Sequence, residues 1–112
     1  MLKILLSIGT NHTLLGIRNA VFTRRGYAVI SAKSAASAIR AIESRRIDAV
    51  IVGHSLSRSL QEKITATAKN KRLPVIVLHA EPNSNPIPLA DANLCGIDGA
   101  ALITELLSDL VG

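Results

Sequence analysis

Three histidines and one cysteine carry the metal-binding capacity of this 112-residue chain: His12, His54, His79 and Cys95. Imidazole and thiolate suit Zn²⁺ or a similar ion, and Glu81 lies two residues beyond His79. Their spacing adds nothing, because the chain has no HxxxH pair and no CxxC pair. A lone cysteine is more often a small buried apolar residue than a ligand. The stretch GTNHT (9–13) leads into a helix N-terminus, where backbone N–H groups favour an anion that the histidines would assist. Against both uses stands a plainer one, three surface histidines on polar loops, and we favour it; no cofactor is expected. Covalent chemistry finds no support either. There is no Ser–His–Asp order, no GxSxG and no phosphate loop. Asp98 is expected to cap the last helix and Asp91 to lie in a loop, and neither has a base or nucleophile partner. The chain is not expected to be an enzyme.

The elements that must position these groups are written in the apolar pattern. Hydrophobic residues make up 48% of the chain and aromatics only 2%, namely Phe22 and Tyr27, so the core is aliphatic. That suits helices packed on a parallel sheet, in one domain spanning 1–112. KILLSI (3–8), YAVISA (27–32), DAVIVG (48–53) and LPVIVLHA (73–80) are buried strands, with Pro74 at a strand start where its missing N–H is tolerated. A short fifth strand is expected near Ala92–Cys95. The helices are 13–26, with Leu14, Ile17, Val21 and Phe22 on one face between a Thr13 cap and Gly26; 34–46, with Ala35, Ala38, Ile39 and Ile42 inward; 59–70, with Leu60, Ile64 and Ala68 inward; and 101–111, with Leu102, Leu106, Leu107 and Leu110 inward. Between 81 and 100 the helical pattern fails, since prolines stand at 82, 86 and 88. The order βαβαβαβ, a proline-rich connection, then βα predicts a parallel sheet with helices on both faces and right-handed crossovers.

No apolar run reaches the roughly 18 residues of a membrane span. MLKILLSIG resembles a weak signal peptide but is followed by no small-residue cleavage site, so a buried first strand accounts for it better. One cysteine rules out an internal disulfide and suits a reducing cytoplasm. The formal charge of +5 admits an acidic partner without identifying one. Its sources, among them Arg18, Arg24, Arg25, Arg40, Arg45, Arg46, Arg58, Lys63, Lys69, Lys71 and Arg72, are spread over several helices and come without a set of stacking aromatics. A nucleic-acid partner is therefore not expected, and KNKR (69–72) reads as a helix C-terminus.

Over nearly its whole length the chain resembles a response-regulator receiver domain, the CheY-like, flavodoxin-like fold. KILLSIG, GYAVISAKSAASAIRAIESRRIDAVIV and LPVIVLHA carry the resemblance in order and spacing, and Gly26-Tyr27 followed by a strand, an Ala-rich helix and Asp48 is its most specific part. The resemblance implies a three-layer α/β sandwich, a five-stranded parallel sheet of order 2-1-3-4-5, and ligands at the carboxyl ends of the strands. His12, His54, His79 and Cys95 all map to that edge.

The family's functional positions have changed. Receivers carry an acidic pair after the first strand that binds Mg²⁺; here those positions are Ile8 and Gly9, or at the loosest Gly9 and Thr10. The phospho-accepting aspartate falls on Gly53, the Ser or Thr ending the fourth strand on His79, and the lysine ending the fifth strand near Gly96. Aspartyl phosphorylation needs a carboxylate nucleophile and cations on the phosphoryl oxygens, and Ile8 and Gly9 offer Mg²⁺ no side-chain oxygen. Asp48 cannot substitute, lying five residues earlier, roughly 16 Å away at about 3.3 Å per residue. The resemblance thus implies a degenerate pseudo-receiver that signals by binding another protein: a sensor kinase, a regulator or an output domain, with a homodimer also open. The fourth helix of the family is shortened or replaced by EPNSNPIPLAD, so Pro82, Pro86, Pro88 and Leu89, with the last helix, are the expected altered contact surface.

Overall fold

The computed structural model describes residues 2–81, 83–95 and 99–111, with backbone only for 99–101. The elements are β1 (Ile4–Ile8), α1 (His12–Arg24), β2 (Ala28–Ala32), α2 (Ala35–Ser44), β3 (Ala49–Val52), α3 (Arg58–Asn70), β4 (Val75–His79), β5 (Ala92–Cys95) and α4 (Gly99–Val111). All strand pairs are parallel, in the order β2-β1-β3-β4-β5. The flavodoxin-like architecture read from the sequence is the one the chain adopts. β1 and β3 pair from Leu5↔Ala49 to Ile8↔Val52, which brings the carboxyl ends of the two central strands side by side. No helix forms among the described residues between β4 and β5. Among the described residues no helix is long and apolar enough to cross a membrane.

The strands are buried on both faces because alternate residues enter two different cores. Leu6, Ile8, Val50, Val52, Val75 and Val77 pack under α2 and α3. Leu5, Ala49, Ile51, Ile76 and Leu78 pack on the other face with Phe22 of α1 and with Ile103 and Leu107 of α4. Side-chain oxygens of Asn11, Ser34 and Ser57 accept from the backbone N–H three residues on and cap α1, α2 and α3. Asn11, not Thr13, caps α1. Gly26 does take the positive φ of 92° that the turn out of α1 requires.

Two helix faces differ from the sequence pattern. Leu14 and Ile17 of α1 are 47% and 62% exposed, and the inward residues are Leu15 and Phe22, seven apart, with Arg18 between them. In α4, Leu102 is exposed and Ile103 takes its place in the core with Leu107. Each is a shift of one residue, about 100° around the helix. In α1 the reason is chemical: Arg18 occupies an inward position, so counting apolar residues selects the adjacent stripe. The cap expected at Asp98 lies outside the described residues.

Candidate functional site

The carboxyl ends of β1 and β3 meet in a closed arrangement of backbone and two long polar side chains. The Ile8 side chain is fully buried in the core under α2 and α3. The Gly53 N–H donates to the Ile8 carbonyl at 2.8 Å, and the Gly9 N–H donates to Ala32 O at 3.1 Å. A Cβ on Gly53 would stand 2.5 Å from the Ile8 oxygen and 3.4 Å from Gly9 Cα. Space, and not a positive φ, therefore holds glycine at this position. On the other side, the buried Gln61 amide of α3 donates from Nε2 to Gly53 O and to Leu78 O, both at 3.1 Å, joining the ends of β3 and β4. The Thr10 N–H donates to Ser55 Oγ at 2.9 Å, so the loops after β1 and β3 are tied as well.

Arg18 enters the same place from α1. Its Nε and Nη2 donate to Ser7 Oγ at 3.3 and 3.2 Å, and Nη2 also donates to Ile8 O at 3.1 Å. Burial lowers the guanidinium from the usual arginine range to about 10, since a charge leaving water is disfavoured. Among the described residues no carboxylate pairs with it; the ion pairs present are Arg46–Asp48, Arg58–Glu62 and Lys69–Asp91. A fixed cation therefore stands at the end of β1, where the resemblance would place an acidic, Mg²⁺-binding pair. A cavity of about 20 Å³ remains beside it, lined by residues that include Gly9, Gly53, His54 and Ser55.

The acidic residues near the sheet have structural work. Asp48 Oδ2 accepts the Ile4 N–H at 2.7 Å and pins β1 to β3 at the edge opposite Gly53. Asp91 Oδ2 accepts the Val75 N–H at 2.7 Å and Lys69 Nζ at 2.9 Å, fixing the entry to β5.

The proline-rich segment is strapped down. Ile87 is buried in the core under α2 and α3, and its N–H and C=O are both held by the Asn93 side chain, at 2.8 and 3.2 Å. That grip orients Asn93 with Oδ1 as acceptor, so His79 donates to it from Nε2 at 2.8 Å. Arg58 donates to Asn85 O at 2.7 Å and Pro86 O at 3.1 Å. Pro86, Pro88 and Leu89 stay exposed, Leu89 by 59%, and Pro88 and Leu89 form one wall of an open groove of about 440 Å³ facing Glu62, Lys63 and Ala66 of α3. Pro82 and Gly96 lie outside the described residues.

The histidines do not converge. His54 and His79 line one open, polar depression with Arg58 and Gln61, while His12 is exposed at the start of α1 and does not line it. Among the described residues no group of three or more His, Cys, Asp or Glu side chains is placed to hold a metal ion, so the set His12, His54 and His79 is not assembled. Neither aromatic forms a stacking platform for bases: Phe22 is fully buried and Tyr27 packs against the core beneath α4.

No family model matches the sequence, and no curated protein matches it. Solved structures do. The response regulator protein TrrA from Thermotoga maritima, in complex with Mg²⁺-BeF, is 17% identical with a TM-score of 0.86, covering 97% of this chain and 99% of that one. The receiver domain of a sensor histidine kinase from Pseudomonas aeruginosa, with magnesium coordinated in its active site cleft, is 21% identical with a TM-score of 0.84, over 100% and 99%. The N-terminal domain of a response regulator/sensory box/GGDEF protein from Carboxydothermus hydrogenoformans is 13% identical with a TM-score of 0.84, over 97% and 94%. The fold is that of response-regulator receiver domains, and at these identities the likeness extends to the fold.

Arg18, Gln61, Ser55 and Asn93 are the site residues that sequence reasoning missed. Arg18 had a signal, standing between Leu15 and Phe22 at helical spacing. Gln61 likewise sits one turn before Thr65 on the inward stripe of α3. Ser55 and Asn93 had none, because their partners lie 45 and 6 residues away in loops.

Proposed function

We propose that this chain is a receiver-fold signalling module that is not phosphorylated and acts by binding another protein. The observation that carries the proposal is Gly53: the acceptor position holds no carboxylate, and a side chain there meets the Ile8 carbonyl at 2.5 Å. The cation of Arg18 at the end of β1 supports the same reading, since it would repel Mg²⁺. The receiver fold supports a place in a bacterial, cytoplasmic two-component pathway, with a sensor kinase, a regulator or an output domain as partner, or a second copy. No catalytic role is proposed. The groove between α3 and Pro88-Leu89 is the contact surface we favour, because it exposes apolar area where the family's fourth helix is replaced.

The test is affinity capture of the tagged chain from its native lysate after nuclease treatment, beside a Leu89→Asp variant. One kinase, regulator or output protein retained by the native chain and lost by the variant bears the proposal out. Equal retention by both removes the groove, and a signal that vanishes with nuclease moves the basic helices to the front. A substitution at Leu89 serves better than removal of the whole segment, because Ile87 within it is buried in the core.

A further inference from the structure

We propose that the cavity between α1 and the loop after β3 seats one small anionic atom, a halide or a single oxygen of a tetrahedral oxyanion, against the guanidinium of Arg18. Three features of the cavity point there. Its size, about 20 Å³, holds about one water-sized group. Its wall, which includes Gly9, Asn11, Arg18, His54 and Ser55, carries a cation and no carboxylate. The cation keeps one group free for an ion from solvent: Nε and Nη2 of Arg18 have Ser7 Oγ and Ile8 O as acceptors, while Nη1 has no acceptor among the described residues and is not enclosed. Donors stand nearby: Ser55 Oγ accepts from the Thr10 N–H and keeps its own proton to give, and the positive end of the α1 dipole adds to the field. Asn11 contributes no competing acceptor, its Oδ1 being occupied by the Leu14 N–H at 3.1 Å. Arg18 is half-buried and no carboxylate among the described residues pairs with it, so an anion in the cavity meets a partly desolvated cation.

Gly9 provides the decisive variant. A Cβ there would lie 3.6 Å from Arg18 Nη2, 3.6 Å from Leu15 Cδ1 and 3.9 Å from Ser55 Oγ, all ordinary contacts. Gly9→Ala thus occupies the cavity and leaves the charge and the fold in place. The experiment is a chloride titration of the full chain at constant ionic strength, with gluconate, a planar carboxylate and not a tetrahedral oxyanion, as the balancing anion. It is read by chloride NMR linewidth for the native protein, Gly9→Ala and Arg18→Met. The expected result is saturable broadening in the native protein that both variants lose. Displacement by added phosphate assigns an oxyanion oxygen to the same place; saturable broadening that phosphate leaves unchanged assigns the halide. Absence of saturable broadening, or the same broadening in the native protein and Gly9→Ala, overturns the proposal, the latter because only ions at exposed lysines and arginines are then being seen. Should Arg18→Met not fold, Gly9→Ala decides alone. The result is independent of whether the chain is phosphorylated or what protein it binds.

Discussion

Replacing Gly53 by alanine isolates the steric closure at the ends of β1 and β3. The added Cβ meets Ile8 O at 2.5 Å, against about 3.3 Å for a close carbon–oxygen contact, so roughly 0.8 Å must be found. The neighbour is backbone, not the end of a flexible side chain. Moving it lengthens the Gly53–Ile8 hydrogen bond and the Arg18–Ile8 hydrogen bond, at 2.8 and 3.1 Å in the native arrangement. Overpacking costs about 1–3 kcal/mol and a weakened hydrogen bond about 1 kcal/mol more, so Gly53→Ala is expected to lose about 2–4 kcal/mol. For a domain of this size that lowers Tm by roughly 8–16 °C. Urea unfolding followed by far-UV circular dichroism gives the number, with Gly9→Ala as the control expected to stay within about 0.5 kcal/mol of native. A Gly53→Ala variant as stable as the native chain would refute the closure, because it would show that the end of β3 accepts a side chain.

Three further substitutions test other parts of the arrangement. Thr65 is fully buried on α3 and its hydroxyl has no partner among the described residues, so the near-isosteric Thr65→Val is expected to gain about 1 kcal/mol in the same urea assay. Arg72 holds a φ of 59° at the end of α3, and Arg72→Gly is expected to raise stability by about 0.5–1 kcal/mol, read as a higher urea midpoint with an unchanged slope. Asn93→Ala leaves both backbone groups of Ile87 and the His79 ring without their partner; it is expected to cost about 2–3 kcal/mol and to abolish hydrogen-exchange protection of the Ile87 amide while that of Ile51 falls only with global stability.

Much of this was legible along the chain. The strands were plain because a parallel sheet buries both faces, so ILLSI, AVIV and VIVLH run as unbroken or nearly unbroken apolar segments. That the described residues between β4 and β5 form no helix was equally plain, since Pro86 and Pro88 cannot occupy a helix interior. The absent carboxylates could be read from residue identity at Ile8, Gly9 and Gly53. What fills their place could not, because it depends on contacts between segments remote in sequence. Arg18 turned inward disguises the buried stripe of α1, and the demand for glycine at 53 comes from a carbonyl 45 residues earlier. Ile87 reads as one apolar residue among prolines, and only Asn93, reaching back from β5, makes it part of the core.

The proposed function rests on a receiver fold that takes no phosphoryl group. Its most direct test is to incubate the full chain with Mg²⁺ and acetyl phosphate, then record intact mass and backbone amide spectra. The account predicts no added phosphoryl group and no Mg²⁺-dependent shift at Ile8, Gly53 or His79. One phosphoryl group carried on a carboxylate, with Mg²⁺-dependent shifts at those residues, would contradict it.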